Sequence, residues 1–260
     1  MANPHGSFVW YELLTTDAEA ASRFYGEVIG WAARDAGVPG VSYRLFSNHG
    51  QDVAGHMSIP EGAPAQMRPS WIGYVGVEDV DASVMAIAAD GGRVHMPAMD
   101  MPGVGRMAMV SDPQGVPFYV MRGASDGEST SFSVTEAGHC RWNELSAADQ
   151  EGALSFYTRH FGWERGEAMP MGEMGDYRFL HHDGQMIGAV MPAQPGGPGP
   201  LWLFYFGVED IDAAAAKVSA AGGTIIQQPI QIPGGEYSLV AADPQGVAFG
   251  IVGPRKEQQQ

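Results

Sequence analysis

At 260 residues, with 45% hydrophobic and 17% charged side chains, the chain has the composition of a globular protein long enough for two domains. A formal net charge of −16 repels phosphate backbones and anionic lipid, which argues against nucleic-acid and membrane partners. The single cysteine, Cys140, excludes an intrachain disulfide, and no secretory leader or bilayer-length apolar run is visible, so a soluble cytoplasmic protein is expected.

Residues 1–7 read as a frayed end, and Phe8 to Leu14 as a strand. Thr16 stands three residues before Glu19, the spacing of a capping box. Ala21, Phe24, Tyr25, Val28 and Ile29 follow at helical spacing, and Gly30 closes the helix. Ser42–Ser47 and Asp52–Met57 flank the polar turn Asn48-His-Gly and predict a hairpin. Pro60 to Pro69 reads as a loop rich in proline and glycine, and Trp71–Val77 as a strand. A short helix is expected over Asp81–Asp90, with Val84, Ile87 and Ala88 inward and Gly91-Gly92 at its end. Strands near Arg93–Met96 and Arg106–Ser111, a turn at Asp112-Pro-Gln-Gly and a strand over Val116–Met121 complete the set. Residues 123–138 are polar and short of core residues, the composition of a linker, and 253–260 read as a second frayed end.

Beyond residue 138 the pattern returns. Trp10 through Trp31 align without a gap on Trp142 through Trp163, with ten of 22 positions identical. Chance would give roughly one in fifteen. Pro69–Ala82 matches Pro200–Ala213, and Asp112-Pro-Gln-Gly-Val matches Asp243-Pro-Gln-Gly-Val, both at an offset of 131. A repeat of this length is a domain. Each copy holds the order strand–helix–strands twice, so the fold expected is α+β, with four βαβββ units paired as two tandem domains over 8–122 and 139–253.

The pattern resembles the vicinal oxygen chelate superfamily, which includes glyoxalase I, bleomycin-resistance proteins and extradiol dioxygenases. The carrying residues are Thr16-Asp17, Phe24-Tyr25 and Gly30-Trp31, Gly-Val-Glu-Asp-Val-Asp-Ala at 76–82, Ala-Asp-Gly-Gly at 89–92 and Asp-Pro-Gln-Gly at 112–115. Their counterparts stand at 148–163, 207–213, 220–223 and 243–246, with Ala148 in place of the threonine. The resemblance implies curled mixed sheets around a cleft, with an open metal site built from the first strand of each unit and the last strand of the second. It implies those ligands at Trp10, Ile72 and Tyr119 in copy one and at Trp142, Leu203 and Gly250 in copy two. Tyrosine is an uncommon metal ligand and the other five are not ligands at all. No cofactor is therefore expected; a divalent metal held by relocated ligands such as Glu12, His56 and Glu144 is the alternative.

Strand alternation puts Glu12 on the face of Trp10, and Glu144 on the face of Trp142. An inward carboxylate needs a partner, so each is a candidate base, ligand anchor or structural brace. Trp10, Trp142, Tyr43, Tyr177, Tyr74, Tyr205 and Tyr119 would line aromatic clefts suited to flat, apolar or cationic molecules. His56, matched to Ala189, is a candidate for the first cleft, and Met96, Met99, Met101, Met107 and Met109 give copy one flexible thioethers. The function expected is small-molecule binding, with a metalloenzyme of relocated ligands, a metal-free enzyme using Glu12 or Glu144 as base, or a pocketless interaction scaffold as alternatives. The expected partners are a small molecule and either an internal pairing of the two domains or a homodimer.

Overall fold

The computed structural model describes residues 3–38, 40–62 and 67–256. Copy one runs β1 (Phe8–Thr15), α1 (Ala18–Val28), β2 (Ala32–Asp35), β3 (Tyr43–Asn48), β4 (Gln51–Ser58), β5 (Ser70–Gly76), α2 (Val80–Ala89), β6 (Arg93–Met101), β7 (Gly105–Ser111) and β8 (Pro117–Gly123). Copy two repeats it as β9 (Cys140–Ala147), α3 (Gln150–Phe161), β10 (Glu164–Pro170), β11 (Asp176–His182), β12 (Gln185–Pro192), β13 (Leu201–Gly207), α4 (Ile211–Ala220), β14 (Thr224–Gln231), β15 (Tyr237–Ala242) and β16 (Ala248–Gly253). Each copy forms one open, mixed, eight-stranded sheet, ordered β2-β3-β4-β1-β5-β8-β7-β6 and β10-β11-β12-β9-β13-β16-β15-β14. The parallel pairs β1/β4, β5/β8, β9/β12 and β13/β16 are the crossovers that a βαβ step requires.

The helices α1 to α4 each start on an aspartate: Asp17, Asp79, Asp149 and Asp210 accept from backbone N–H groups of the first turn. The cap of α1 is therefore Asp17 and not Thr16. Each cap stabilises its helix by about 1 kcal/mol. Within α2, Val80 and Ile87 are buried, whereas Ala88 is exposed. The outer strands β6 and β14 carry Pro97 and Pro229 among irregular registers, which removes a ladder donor from an edge open to other chains.

By compactness the chain divides into two units that cut across the repeat. The first gathers Met1–Trp10, Ile72–Ser129 and Asn143–Trp202; the second gathers Tyr11–Trp71, Thr130–Trp142 and Leu203–Gln260. Each unit thus joins a βαβββ element of one copy to the complementary element of the other. In the second unit α1 packs against α4, and Tyr25 stands at the centre of the core. Its hydroxyl donates to Asp243 Oδ2 (3.3 Å) and accepts from Trp71 Nε1 (2.9 Å). Asp243 belongs to the Asp-Pro-Gln-Gly turn, where its Oδ1 accepts from the N–H groups of Gln245 and Val247. Trp31, Phe46, Phe206 and Phe249 close around this network.

The first unit repeats the arrangement with the copies exchanged. Tyr157 donates to Asp112 (3.2 Å) and accepts from Trp202 (3.2 Å), while Phe118, Phe161 and Trp163 surround it. Burial raises the Asp112 and Asp243 carboxyls above the usual range and pushes the Tyr25 and Tyr157 hydroxyls up, so the phenols stay protonated donors.

Described residues at both ends are tied down, contrary to the frayed ends expected. Gly6 N–H donates to Gly76 O, Trp163 Nε1 donates to Gly6 O, and Asn3 accepts from Ser129 N. Arg255 pairs with Asp212 and lies over the Tyr237 ring. Residues 1–2 and 257–260 of the expected ends, and 63–66 of the expected loop, lie outside the described residues. The 123–138 segment is hydrogen-bonded in both units: Ser129 Oγ donates to Val9 O, and Phe132 forms a bridge with Cys140.

Replacing Tyr25 by Phe strands the Trp71 indole N–H and one Asp243 oxygen in a dry core, and Tyr157→Phe removes the hydroxyl that bridges Trp202 and Asp112. Each is expected to cost about 1–3 kcal/mol. Urea unfolding followed by tryptophan fluorescence measures it; a loss below about 0.5 kcal/mol, the scale of a surface change, would contradict the clasp.

Candidate functional site

The family positions of copy one fall together in the first unit. Ile72 and Tyr74 are buried on β5, and Trp10, at the end of the unit's first segment, is half-buried. Tyr74 registers with Tyr119 across the parallel β5/β8 pair, and their rings stack at 4.2 Å with planes 9° apart. Glu144, half-buried on β9, registers with Ala189 and accepts a 2.6 Å hydrogen bond from the Tyr177 hydroxyl. Phe179 meets Tyr177 edge-on at 5.7 Å. A phenol donating to a carboxylate at this distance stabilises its negative charge and fixes its rotamer.

The second unit holds the copy-two positions Trp142, Leu203 and Gly250, and the other carboxylate. Tyr205 registers with Gly250, and its ring lies over that glycine so closely that a Cβ there would overlap it. The gap left by glycine is thus filled by the neighbouring tyrosine, where copy one stacks two rings. Glu12 registers with Gly55 and is 5% exposed. A Cβ on Gly55 would overlap the Tyr43 hydroxyl, so the glycine is what lets Tyr43 lie on the strand bearing Glu12's cross-strand partner.

His56 corrects the sequence reading. It registers with Leu13, on the sheet face opposite Glu12, and is fully buried toward α1. Its ring stacks on Phe46 at 3.9 Å, and Nε2 meets Ser22 Oγ at 2.7 Å. Ser22 Oγ also donates to Ala18 O, so the imidazole N–H sits on Nε2 and donates to the serine. That leaves Nδ1 buried without a hydrogen-bond partner. Burial, with Arg44 beside it, lowers the imidazole from 6.5 to about 4. The strand registers also revise its counterpart: Gly55 stands opposite Glu12 as Ala189 stands opposite Glu144, so His56 corresponds to Val190. His56 is a core residue, not part of a relocated ligand set with Glu12.

Whether the residues fit a family-type metal can be judged from their donors. Indole, the aliphatic side chains of Ile72 and Leu203, and glycine offer no ligand atom. Tyr119, the single oxygen donor among the six, is stacked on Tyr74. Among the described residues, no three His, Cys, Asp or Glu side chains gather into a group able to hold a metal ion. The site does not fit a divalent metal at the family positions. Cys140 is buried, and burial pushes its thiol up to about 12, which keeps it out of nucleophilic chemistry.

The comparisons agree with the geometry of the fold. The model of the Glyoxalase/Bleomycin resistance protein/Dioxygenase superfamily matches residues 7–120 and 137–251. A Mycobacterium tuberculosis protein named "Putative glyoxylase CFP32" is 38% identical over 252 residues, covering 96% of this chain and 95% of that one. The Anthracycline biosynthesis protein DauV of Streptomyces sp. (strain C5) is 30% identical over 260 residues, covering 95% and 93%. Among solved structures, the Mn(II)-bound glyoxalase from Novosphingobium aromaticivorans superposes with a TM-score of 0.62 at 18% identity, over 99% of this chain and 84% of that one. Homoprotocatechuate 2,3-dioxygenase from Brevibacterium fuscum, in complex with 3,4-dihydroxyphenylacetate, gives 0.66 at 16%, over 99% and 84%. Identities this low speak to the fold alone.

The folded His56 binds a proton only near pH 4, whereas an unfolded imidazole binds one near 6.5. The unfolded state therefore gains protons first, and stability falls as pH drops through this window, by on the order of 3 kcal/mol. His56→Gln is expected to remove that part of the slope in urea unfolding between pH 7 and 4. An unchanged slope would place the titrating group elsewhere.

Proposed function

The chain belongs to the glyoxalase/bleomycin resistance protein/dioxygenase superfamily, and from that membership we propose that it binds a planar aromatic small molecule through side chains standing where the family holds a metal. The observation that carries this reading is the set of side chains at the six positions the resemblance assigns to ligands: Trp10, Tyr119 and Trp142 are aromatic, and only Tyr119 offers a donor atom, an uncommon one. Rings and aliphatic side chains supply flat, polarisable surface, which suits a planar ligand and excludes a hydrated ion. The kinship with a protein named for anthracycline biosynthesis supports a polycyclic ligand class.

Polar orientation comes from the carboxylates. Tyr177 holds Glu144 as a fixed acceptor, half-open to solvent, that would take a hydroxyl or ammonium hydrogen from the ligand. Glu12, at 5% exposure, is less reachable and serves the architecture of its strands. Cation attraction by the chain's net charge of −16 favours neutral or cationic ligands over anionic ones. Nucleic acid and membrane have no place in this reading, and the cell's reducing interior suits a chain with a single cysteine.

The test is a fluorescence titration with 1,4-dihydroxyanthraquinone and proflavine, set beside the metal content of protein purified without chelators. Saturable quenching that is unchanged by EDTA, on protein carrying no stoichiometric metal, is the expected result. Glu144→Gln should weaken proflavine binding by about tenfold, or ~1.4 kcal/mol. Stoichiometric Mn, Fe, Ni or Zn whose removal abolishes ligand binding or turnover would overturn the proposal.

A further inference from the structure

Copy one differs from copy two on the sheet face that carries Tyr74 and Tyr119. The registers of β5 to β8 place Met96 opposite Met109, Met109 opposite Tyr119, and Tyr119 opposite Tyr74. Directly paired residues point to the same face, so these four side chains form one line across the ribbon. A second line, Met99, Met107 and Met121, runs beside it. The corresponding lines in copy two are Gln227, Val240, Gly250 and Tyr205, then Ile230, Ser238 and Val252.

Local preference does not explain the methionines. Copy two uses Val240, Ile230 and Val252 on the equivalent strands, the β-branched residues that a pleated surface favours. Thioether side chains are unbranched, polarisable and able to reshape, and their sulfur makes favourable contact with aromatic rings. Exposure falls along the first line, where Met96 and Met109 are half-buried and Tyr119 and Tyr74 reach 9% and 3%. In the second line Met99 on the outer strand is 44% exposed, Met107 is buried at 5% and Met121 is half-buried. The result is a slope of soft, adaptable surface that ends on two parallel rings.

We propose that this methionine–tyrosine ribbon of copy one, and not its copy-two counterpart, is the surface that receives the planar aromatic ligand and sets its selectivity. The inference rests on the reading of the protein as an aromatic-binding member of its family. Sulfur–ring contacts from Met96 and Met109 and the ring face of Tyr119 discriminate by polarisability and shape. Extended polycyclic compounds are therefore preferred over single-ring phenols, and methionine flexibility admits several ring substitution patterns.

Two measurements test it on the full-length protein with 1,4-dihydroxyanthraquinone as probe. Methionine methyl groups labelled with carbon-13 report ring contact directly: the Met96 and Met109 resonances, assigned by substitution, should move upfield on titration. The double variant Met96→Leu/Met109→Leu keeps volume and apolarity but removes both sulfurs. It should bind about tenfold more weakly with an unchanged unfolding midpoint, while Gln227→Ala in copy two stays within about twofold, the size of a neutral contact. Wild-type protein that binds the probe with unmoved methionine signals and unaffected double-variant affinity would overturn this assignment alone. Wild-type protein that binds no planar probe would overturn the aromatic-binding reading along with it.

Discussion

A tyrosine that is fully buried and hydrogen-bonded on both sides holds each compact unit together. Tyr25 links a helix of copy one to the Asp-Pro-Gln-Gly turn of copy two, and Tyr157 links the reverse pair. Each hydroxyl must donate to an aspartate and accept from an indole, because each of these groups left alone in the core would carry its full desolvation cost. The consequence is architectural. Within each compact unit a βαβββ element of one copy completes its aromatic core with an element from the other. Both copies thus contribute to each core, and the repeated pairs Tyr25 with Asp243 and Tyr157 with Asp112 build the clasp.

With the cores committed to this packing, the opposite sheet faces are where the copies diverge. The same register position holds a ring-on-ring stack at Tyr74 and Tyr119, and a ring over glycine at Tyr205 and Gly250. The two carboxylates diverge likewise: Glu144 is half-open and held by Tyr177, whereas Glu12 is buried on a strand whose neighbour Gly55 carries Tyr43 above it. Scaffold constraints are symmetric, and freedom to specialise begins where those constraints stop. That is why the proposed chemistry lies in copy-specific residues, though the fold is read from shared ones.

Much of the fold was legible because apolar periodicity and repetition report packing. β1, α1, the β3/β4 hairpin and the Asp-Pro-Gln-Gly turns all followed from those signals. β2 escaped because Ala32–Asp35 is exposed throughout and carries no alternation, and β10 is exposed over much of its length. The α1 cap moved from Thr16 to Asp17 because two adjacent residues can both cap, and only geometry decides which oxygen meets the N–H groups of Glu19 and Ala20. His56 was misplaced by one pleat, since the segment between Trp31 and Tyr43, which holds β2, is shorter than that between Trp163 and Tyr177, and strand register cannot be counted through it. The side chains at Trp10, Ile72 and Tyr119 were legible in the sequence, because the family resemblance assigns those positions by motif spacing. The methionine lines were not, because they appear only when three strands are set side by side and a bulge in β6 brings Met96 and Met99 opposite Met109 and Met107.

The proposed function rests on rings and aliphatic side chains at the positions that the resemblance assigns to metal ligands. A crystal structure of the protein grown with both Mn(II) and a planar polycyclic ligand tests it most directly. The ligand's ring system is expected against Tyr119 and the neighbouring methionines, with no ion at the family positions. Manganese coordinated by Glu12 or Glu144, with the ligand bound through the metal, would contradict it.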